Sequence, residues 1–278
     1  MNIILAHGIL GFRQKFGIEY FNSVREHLEQ LPARVFVPEV SATEGIEARG
    51  EQLREAILKA FADGKLDPDE PAHLIAHSMG GLDSRYLLSP ANPHTTPENE
   101  LAGRIASLTT ISTPHRGSPI ADLLALEPVE EFAEHHRLRA ILEGRLAAED
   151  LAARLLGHLG ISLDGLKDLT TESTAQFNRA TPNNPRVRYF SVAGRGRDGA
   201  SPTSIVLLPF HEYITRKTGQ ANDGLVTVAS AQWDGFDPNL WPADHADEIG
   251  HDLDRLLEAP HFDYLTKYQA IVRRAASA

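Results

Sequence analysis

The segment His73-Leu74-Ile75-Ala76-His77-Ser78-Met79-Gly80-Gly81 places a serine between a short apolar run and a helix-like one. Attack on a carbonyl group suits that setting. A hydroxyl on a tight strand-to-helix turn stands clear of the sheet, and the backbone N–H that follows it can receive the developing oxyanion. Small residues are needed two places before and after the serine, because backbones approach closely there. Ala76 and Gly80 fill those places, and Gly81 lets the new helix pack against the sheet. Ala76 replaces the first glycine of the G-x-S-x-G form, the least disruptive change. A plain strand, turn and helix cap would read the same way, but the flanking elements favour Ser78 as a nucleophile.

Such a serine needs a second oxyanion donor, an acid and a base. Ala6-His7-Gly8-Ile9-Leu10-Gly11-Phe12 follows an apolar run at the N-terminus, and its glycines leave the Ile9 N–H free to turn toward a site, with the Met79 N–H as the other donor. Acid and base should follow the serine in chain order. Asn222-Asp223-Gly224-Leu225-Val226 is a turn signal leading into an apolar run, with Asp198 and Asp234 as rivals. For the base, position leaves His245, His251 and His261 open.

Short apolar runs at Asn2–Ala6, Arg34–Val37, His73–Ala76, Ile105–Ser112 and Val187–Val192 read as strands. Helical patterns lie between them at Phe21–Gln30, from Ile46 to the stop at Gly64, and at Met79–Leu88, with a last amphipathic one at Phe262–Arg274. Ser41-Ala42-Thr43-Glu44 reads as a capping box ahead of the second of these. The alternation predicts one α/β domain over 1–278, a mostly parallel sheet with helices on both faces. From about 119 to 177 the pattern turns almost wholly helical and Leu-rich, with Leu123, Leu138, Leu142 and Leu155 among its apolar positions. It reads as an insertion over the sheet: a lid that opens at an oil surface, or a fixed cap.

The 278 residues carry a formal net charge of −11, which argues against nucleic acid as a partner. With no cysteine, disulfides, a Cys nucleophile and thiolate metal sites are excluded. No apolar run is long enough to span a bilayer, though a local apolar surface could still meet a lipid–water interface. The first residues lack a basic region followed by a long apolar run, so a cytoplasmic protein is expected, or one secreted without a cleaved signal. His94, His115, Asp83 and Asp122 read as solvated surface groups rather than a zinc site.

Taken together, the chain resembles the bacterial triacylglycerol lipases of the α/β-hydrolase superfamily. The segments that carry the resemblance are Leu5–Phe12, Ala76–Tyr86, Ser112-Thr113-Pro114-His115-Arg116-Gly117-Ser118, Phe177-Asn178, Asn222–Val226 and His245-Ala246-Asp247-Glu248. It implies the α/β-hydrolase fold with Ser78 as nucleophile, Asp223 as acid and His245 as base, the Ile9 and Met79 N–H groups as oxyanion hole, and a helical lid after Pro119. The substrate class is then an ester or lipid, and no cofactor is required. Secreted relatives bind calcium near the catalytic His, and Asp247 matches one of their ligands. His251 stands near a position where they offer an amide, and Ser201–Leu207 holds no second carboxylate. A short-chain esterase, and a thioesterase or acyltransferase on the same scaffold, are the nearest alternatives. A non-catalytic binding module would lack a triad member.

Overall fold

The computed structural model describes residues 1–9, 19–96, 101–126, 163–196, 203–204, 207–251 and 262–277. Its strands are β1 (Asn2–Ala6), β2 (Arg34–Phe36), β3 (Ala72–His77), β4 (Ile105–Ile111) and β5 (Arg188–Val192), each within two residues of its expected bounds. The described helices are α1 (Val24–Leu28), α2 (Ile46–Ala62), α3 (Gly80–Leu88), α4 (Pro119–Leu126), α5 (Leu163–Asp168), α6 (Thr171–Ala180), α7 (Leu208–Thr218), α8 (Val228–Ala231) and α9 (Tyr264–Ser277).

All five strands pair in parallel, in the order β2-β1-β3-β4-β5. Strand β1 is buried along its whole length, and its side chains divide by parity. Ile4 and Ala6 join a core with Leu53 and Ile57 of α2 and Leu87 of α3, whereas Ile3 and Leu5 join Val24 and Leu28 of α1 and Ile271 of α9. A strand apolar on both faces is stable only between two helix layers. Each fully buried Leu or Ile of this kind contributes about 2 kcal/mol.

The strand order also locates the site. From β1 the chain moves outward to β2, then crosses back over β1 to β3, so the direction of winding reverses between β1 and β3. Loops leaving the carboxyl ends of two such strands diverge and open a crevice, where ligands bind in open α/β sheets. The loop after β1 carries Ile9, and the turn after β3 carries Ser78.

The expected capping box is corrected. The Ser41 hydroxyl accepts from the Thr43 and Glu44 N–H groups in a turn of its own, while α2 begins later, with Gly45 as its N-cap. The helix start is satisfied from afar: the Asp168 carboxylate accepts the Ile46 N–H at 2.7 Å. Of the insertion expected at 119–177, residues 127–162 lie outside the described residues; its two ends are α4 and α5–α6, where Leu166 packs against Ile120 and Ala121. No described helix is long and apolar enough to cross a membrane.

Candidate active site

Ser78 occupies the left-handed region at φ 55°, a conformation that costs a non-glycine residue about 1–3 kcal/mol and persists only where the surroundings enforce it. Three bonds enforce it here. The Ser78 N–H donates to the Ile111 carbonyl of β4 at 2.9 Å, and the Ser78 carbonyl accepts the Thr113 hydroxyl at 2.7 Å and the Gly81 N–H at 3.1 Å. Gly80 permits the turn to sit where it does, since a Cβ there would lie 2.5 Å from the Ala6 carbonyl oxygen and 2.7 Å from that of His7. The elbow is thus pressed directly onto the end of β1.

The loop after β1 is held from four sides. The Arg49 guanidinium of α2 donates to the His7 carbonyl at 2.8 Å, and is itself fixed by Asp83 of α3 at 2.8 Å with both side chains buried. Burial pushes the Asp83 carboxyl up to about 6, with Arg49 pulling it down. The His7 ring bonds the Gly8 carbonyl through Nδ1 and accepts the Val40 N–H at Nε2; burial, then the Arg49 charge, lower its pKa to about 4, which keeps the ring neutral. Gly8 is closed in by two side chains, since a Cβ there would meet Ser78 Cβ at 2.7 Å and the Tyr20 hydroxyl at 2.8 Å. Among the described residues neither the Ile9 nor the Met79 N–H donates to a protein acceptor. Two backbone donors next to Ser78 with no acceptor among the described residues are of the kind an oxyanion would complete.

Asp223 and His245 are brought together across 22 residues, with His245 Nδ1 2.7 Å from Asp223 Oδ2. The Asp223 Oδ1 accepts the Leu225 and Val226 N–H groups at 2.8 and 2.7 Å, and the His245 N–H donates to the Asp223 carbonyl at 3.0 Å. The carboxylate is therefore aimed by its own turn before it meets the ring. The His245 ring lies 4.4 Å from that of His77, the neighbour of Ser78. Ser78 Oγ forms no hydrogen bond with it here, and such bonds commonly tighten only with substrate.

A second buried chain, which sequence reasoning did not single out, runs beneath this pair. The Tyr20 hydroxyl meets His77 Nδ1 at 2.7 Å, His77 Nε2 meets Glu248 Oε2 at 3.0 Å, and the Ser112 hydroxyl donates to Glu248 Oε1 at 2.6 Å. The Gly194 N–H donates in turn to Ser112 Oγ at 3.0 Å. Burial, then the neighbouring Asp223, hold the Glu248 carboxyl well above its usual range; burial, then the His245 and His251 charges, hold His77 well below its own. Burial thus favours the neutral form of each. Glu248 Oε2 is 3.9 Å from His245 Nδ1, against 2.7 Å for Asp223.

The other candidates fall elsewhere. Asp198 and His261 lie outside the described residues. Asp234 is exposed and bonds Asn183, and His251 Nε2 bonds the Tyr20 carbonyl. The reading of four surface groups is corrected for two of them. Asp83 is buried against Arg49, and His115 is fully buried between Thr110 and Arg85, stacked on Trp233. His94 pairs with Glu47 and Asp122 with Thr171, so the four do not converge.

The described residues near His245 do not fit calcium, which needs at least six oxygens with enough negative charge. Asp247 Oδ2 accepts the Asp244 N–H at 3.2 Å, Asp244 is spent on three backbone N–H groups, and Thr203 and Ser204 bring no charge. Among the described residues, the cluster of metal-ligand type is His77, His245 and Glu248, already joined by the bonds given above.

The family model described as Putative serine esterase (DUF676) matches residues 3–128. The chain is 31% identical to the triacylglycerol lipase of Pseudomonas fragi, covering 90% of this chain and 87% of that protein. It is 33% identical to triacylglycerol lipase 2 of Saccharomyces cerevisiae over 84% of this chain, and spans 62% of that protein's length. The lipase structure of Staphylococcus hyicus superposes with a TM-score of 0.68 at 20% identity, covering 99% of this chain and 96% of that one. That likeness and the parallel sheet show the α/β-hydrolase fold.

Proposed function

The chain belongs to the triacylglycerol lipase family, and on that premise we propose that it hydrolyses carboxylic esters, acylglycerols among them, through an acyl-enzyme on Ser78. The observation that carries this reading is the 2.7 Å contact of His245 Nδ1 with Asp223 Oδ2, set beside a serine at φ 55° on the β3–α3 turn. Ser78 Oγ attacks the ester carbonyl while His245 Nε2 takes its proton, and Asp223 fixes the ring and balances the imidazolium. The Ile9 and Met79 N–H groups hold the oxyanion. The imidazolium then protonates the departing alcohol, and water repeats the steps on the acyl-enzyme. Side chains and backbone suffice for this, so no cofactor takes part. Asp223 rather than Glu248 serves as acid, since Glu248 is farther from the ring and burial disfavours its charged form.

Hydrolysis of p-nitrophenyl butyrate and of emulsified long-chain triacylglycerol by the wild type and Ser78→Ala tests the reading. The variant keeps the fold and loses on the order of 10⁶-fold in kcat. Substantial remaining activity would remove Ser78 from the chemistry. Hydrolysis of the short ester alone would narrow the protein to an esterase, and activity only on acyl thioesters would move it to thioester chemistry.

A further inference from the structure

Asp244, immediately before His245, is completely buried, and no step of the chemistry above uses it. Its Oδ1 accepts the N–H groups of Ala246 at 2.9 Å and Asp247 at 3.0 Å, which closes the turn carrying His245. Its Oδ2 accepts the Ser204 N–H at 2.8 Å, forty residues away in sequence. Ser204 is anchored in its turn: its carbonyl accepts the Leu207 and Leu208 N–H groups at the start of α7, at 3.0 and 2.8 Å. That helix is held by Phe210 and Ile214, packed against Ile120 of α4. A buried carboxylate is costly unless its oxygens are satisfied, and here three backbone donors satisfy them.

On the other side, the turn meets the rest of the fold through His245, whose N–H and ring both reach Asp223, and three residues on through Glu248, which bonds His77 and Ser112. Glu248 holds the far end of the turn, and Asp244 is the side chain that closes it next to the ring and ties it to Ser204. Resting on the reading of His245 as base, we propose that Asp244 is a positioning residue that sets the ring's reach toward Ser78 by fastening the His245 turn to Ser204. The fastening is covalent chain plus hydrogen bonds, so the turn keeps its shape without a bound divalent cation.

The test uses the full chain with Asp244→Asn, Asp244→Ala and His245→Ala, assayed on p-nitrophenyl butyrate well below each melting point. Asn keeps the size and one acceptor oxygen, so it retains either the turn or the Ser204 contact and remains folded if Ala does not. The expected result for Asp244→Asn is a fall in kcat of about tenfold to a hundredfold with KM nearly unchanged, the cost of a small misplacement of a reacting group. The far-downfield NMR proton of the His245–Asp223 hydrogen bond should broaden or vanish, and wild type dialysed against EDTA should keep its rate. A lowered melting point with kcat and that proton intact would reduce Asp244 to a structural residue and overturn the proposal. So would a wild type that loses activity in EDTA and regains it with calcium, because an ion would then hold the turn. If His245→Ala abolishes activity while Asp244→Asn does not, the positioning role alone fails; if His245→Ala is active, the reading beneath it fails.

Discussion

The two sides of the candidate site are held by different physics. On the serine side, backbone is pressed on backbone: Gly80 lies against the Ala6 and His7 carbonyls, and the Ser78 turn is tied to β4. The histidine side also touches the sheet, where Gly194 after β5 lies against the Ala243 carbonyl and bridges to Trp241, but its reacting groups are aimed by buried carboxylates, Asp223 by its own turn and Asp244 across to Ser204. Close packing tolerates almost no change in volume, whereas a hydrogen-bonded carboxylate tolerates volume and depends on its oxygens and its charge. The elbow should therefore fail to steric substitutions, and the carboxylates that aim His245 to electrostatic ones.

The sharpest blow to the serine side is Gly80→Ala. One methyl group would press on two backbone oxygens that cannot swing away, so either the elbow or the loop after β1 must move. The expected loss is about 3 kcal/mol of stability, with kcat down about a hundredfold in the protein that remains folded. Melting and ester hydrolysis measured on one preparation check both. A variant of native stability and activity would show that the elbow has slack, and the contrast between the two sides would collapse.

This difference also explains what could be read in advance. The serine side is written locally: the apolar run, the elbow, its glycines and the β1 loop are each contiguous, so the strand–helix order and Ser78 were legible from pattern alone. Asp223 and His245 were candidates among several until the resemblance chose between them, because their pairing depends on a contact across 22 residues. What pattern missed is tertiary throughout. Ser41 looks like a helix cap, but Asp168 of α5 does that work for α2. Asp83 reads as a surface acid until α3 packs on α2 and buries it against Arg49. Glu248, His77, Ser112 and Tyr20 come from four separate segments, and no spacing rule joins them.

Tyr20→Phe tests where the two sides meet. The Tyr20 hydroxyl abuts Gly8 on the serine side and bonds His77, whose other nitrogen reaches Glu248 on the histidine side. Its removal leaves a buried ring nitrogen without its partner, a cost of about 1–3 kcal/mol. It also loosens the glycine next to the Ile9 N–H. A fall in kcat of roughly tenfold, smaller than the hundredfold typical of a lost oxyanion donor, is expected with KM little changed. An effect on KM alone would mean that Tyr20 touches the substrate rather than the loop.

The smallest expected effect lies wholly on the histidine side and is electrostatic. Burial holds the Glu248 carboxyl well above its ordinary value of 4.5, so the folded chain keeps a proton that the unfolded chain has already released. With more protons bound folded than unfolded, unfolding free energy falls as pH rises. The stability this group contributes is complete below about 4.5 and is lost as pH climbs through the raised folded value. Glu248→Gln has no proton to lose, and its amide can accept from Ser112 and donate to His77 as the protonated acid does. Melting curves of the two proteins should nearly coincide at mildly acid pH and separate in alkali, with the variant higher by about 3 °C, a shift of the size that 1 kcal/mol produces in a chain this long. A constant gap across the pH range would mean that Glu248 is ionised throughout. The histidine side would then carry two buried negative charges beside one ring, and Asp223 would no longer be the sole carboxylate balancing it.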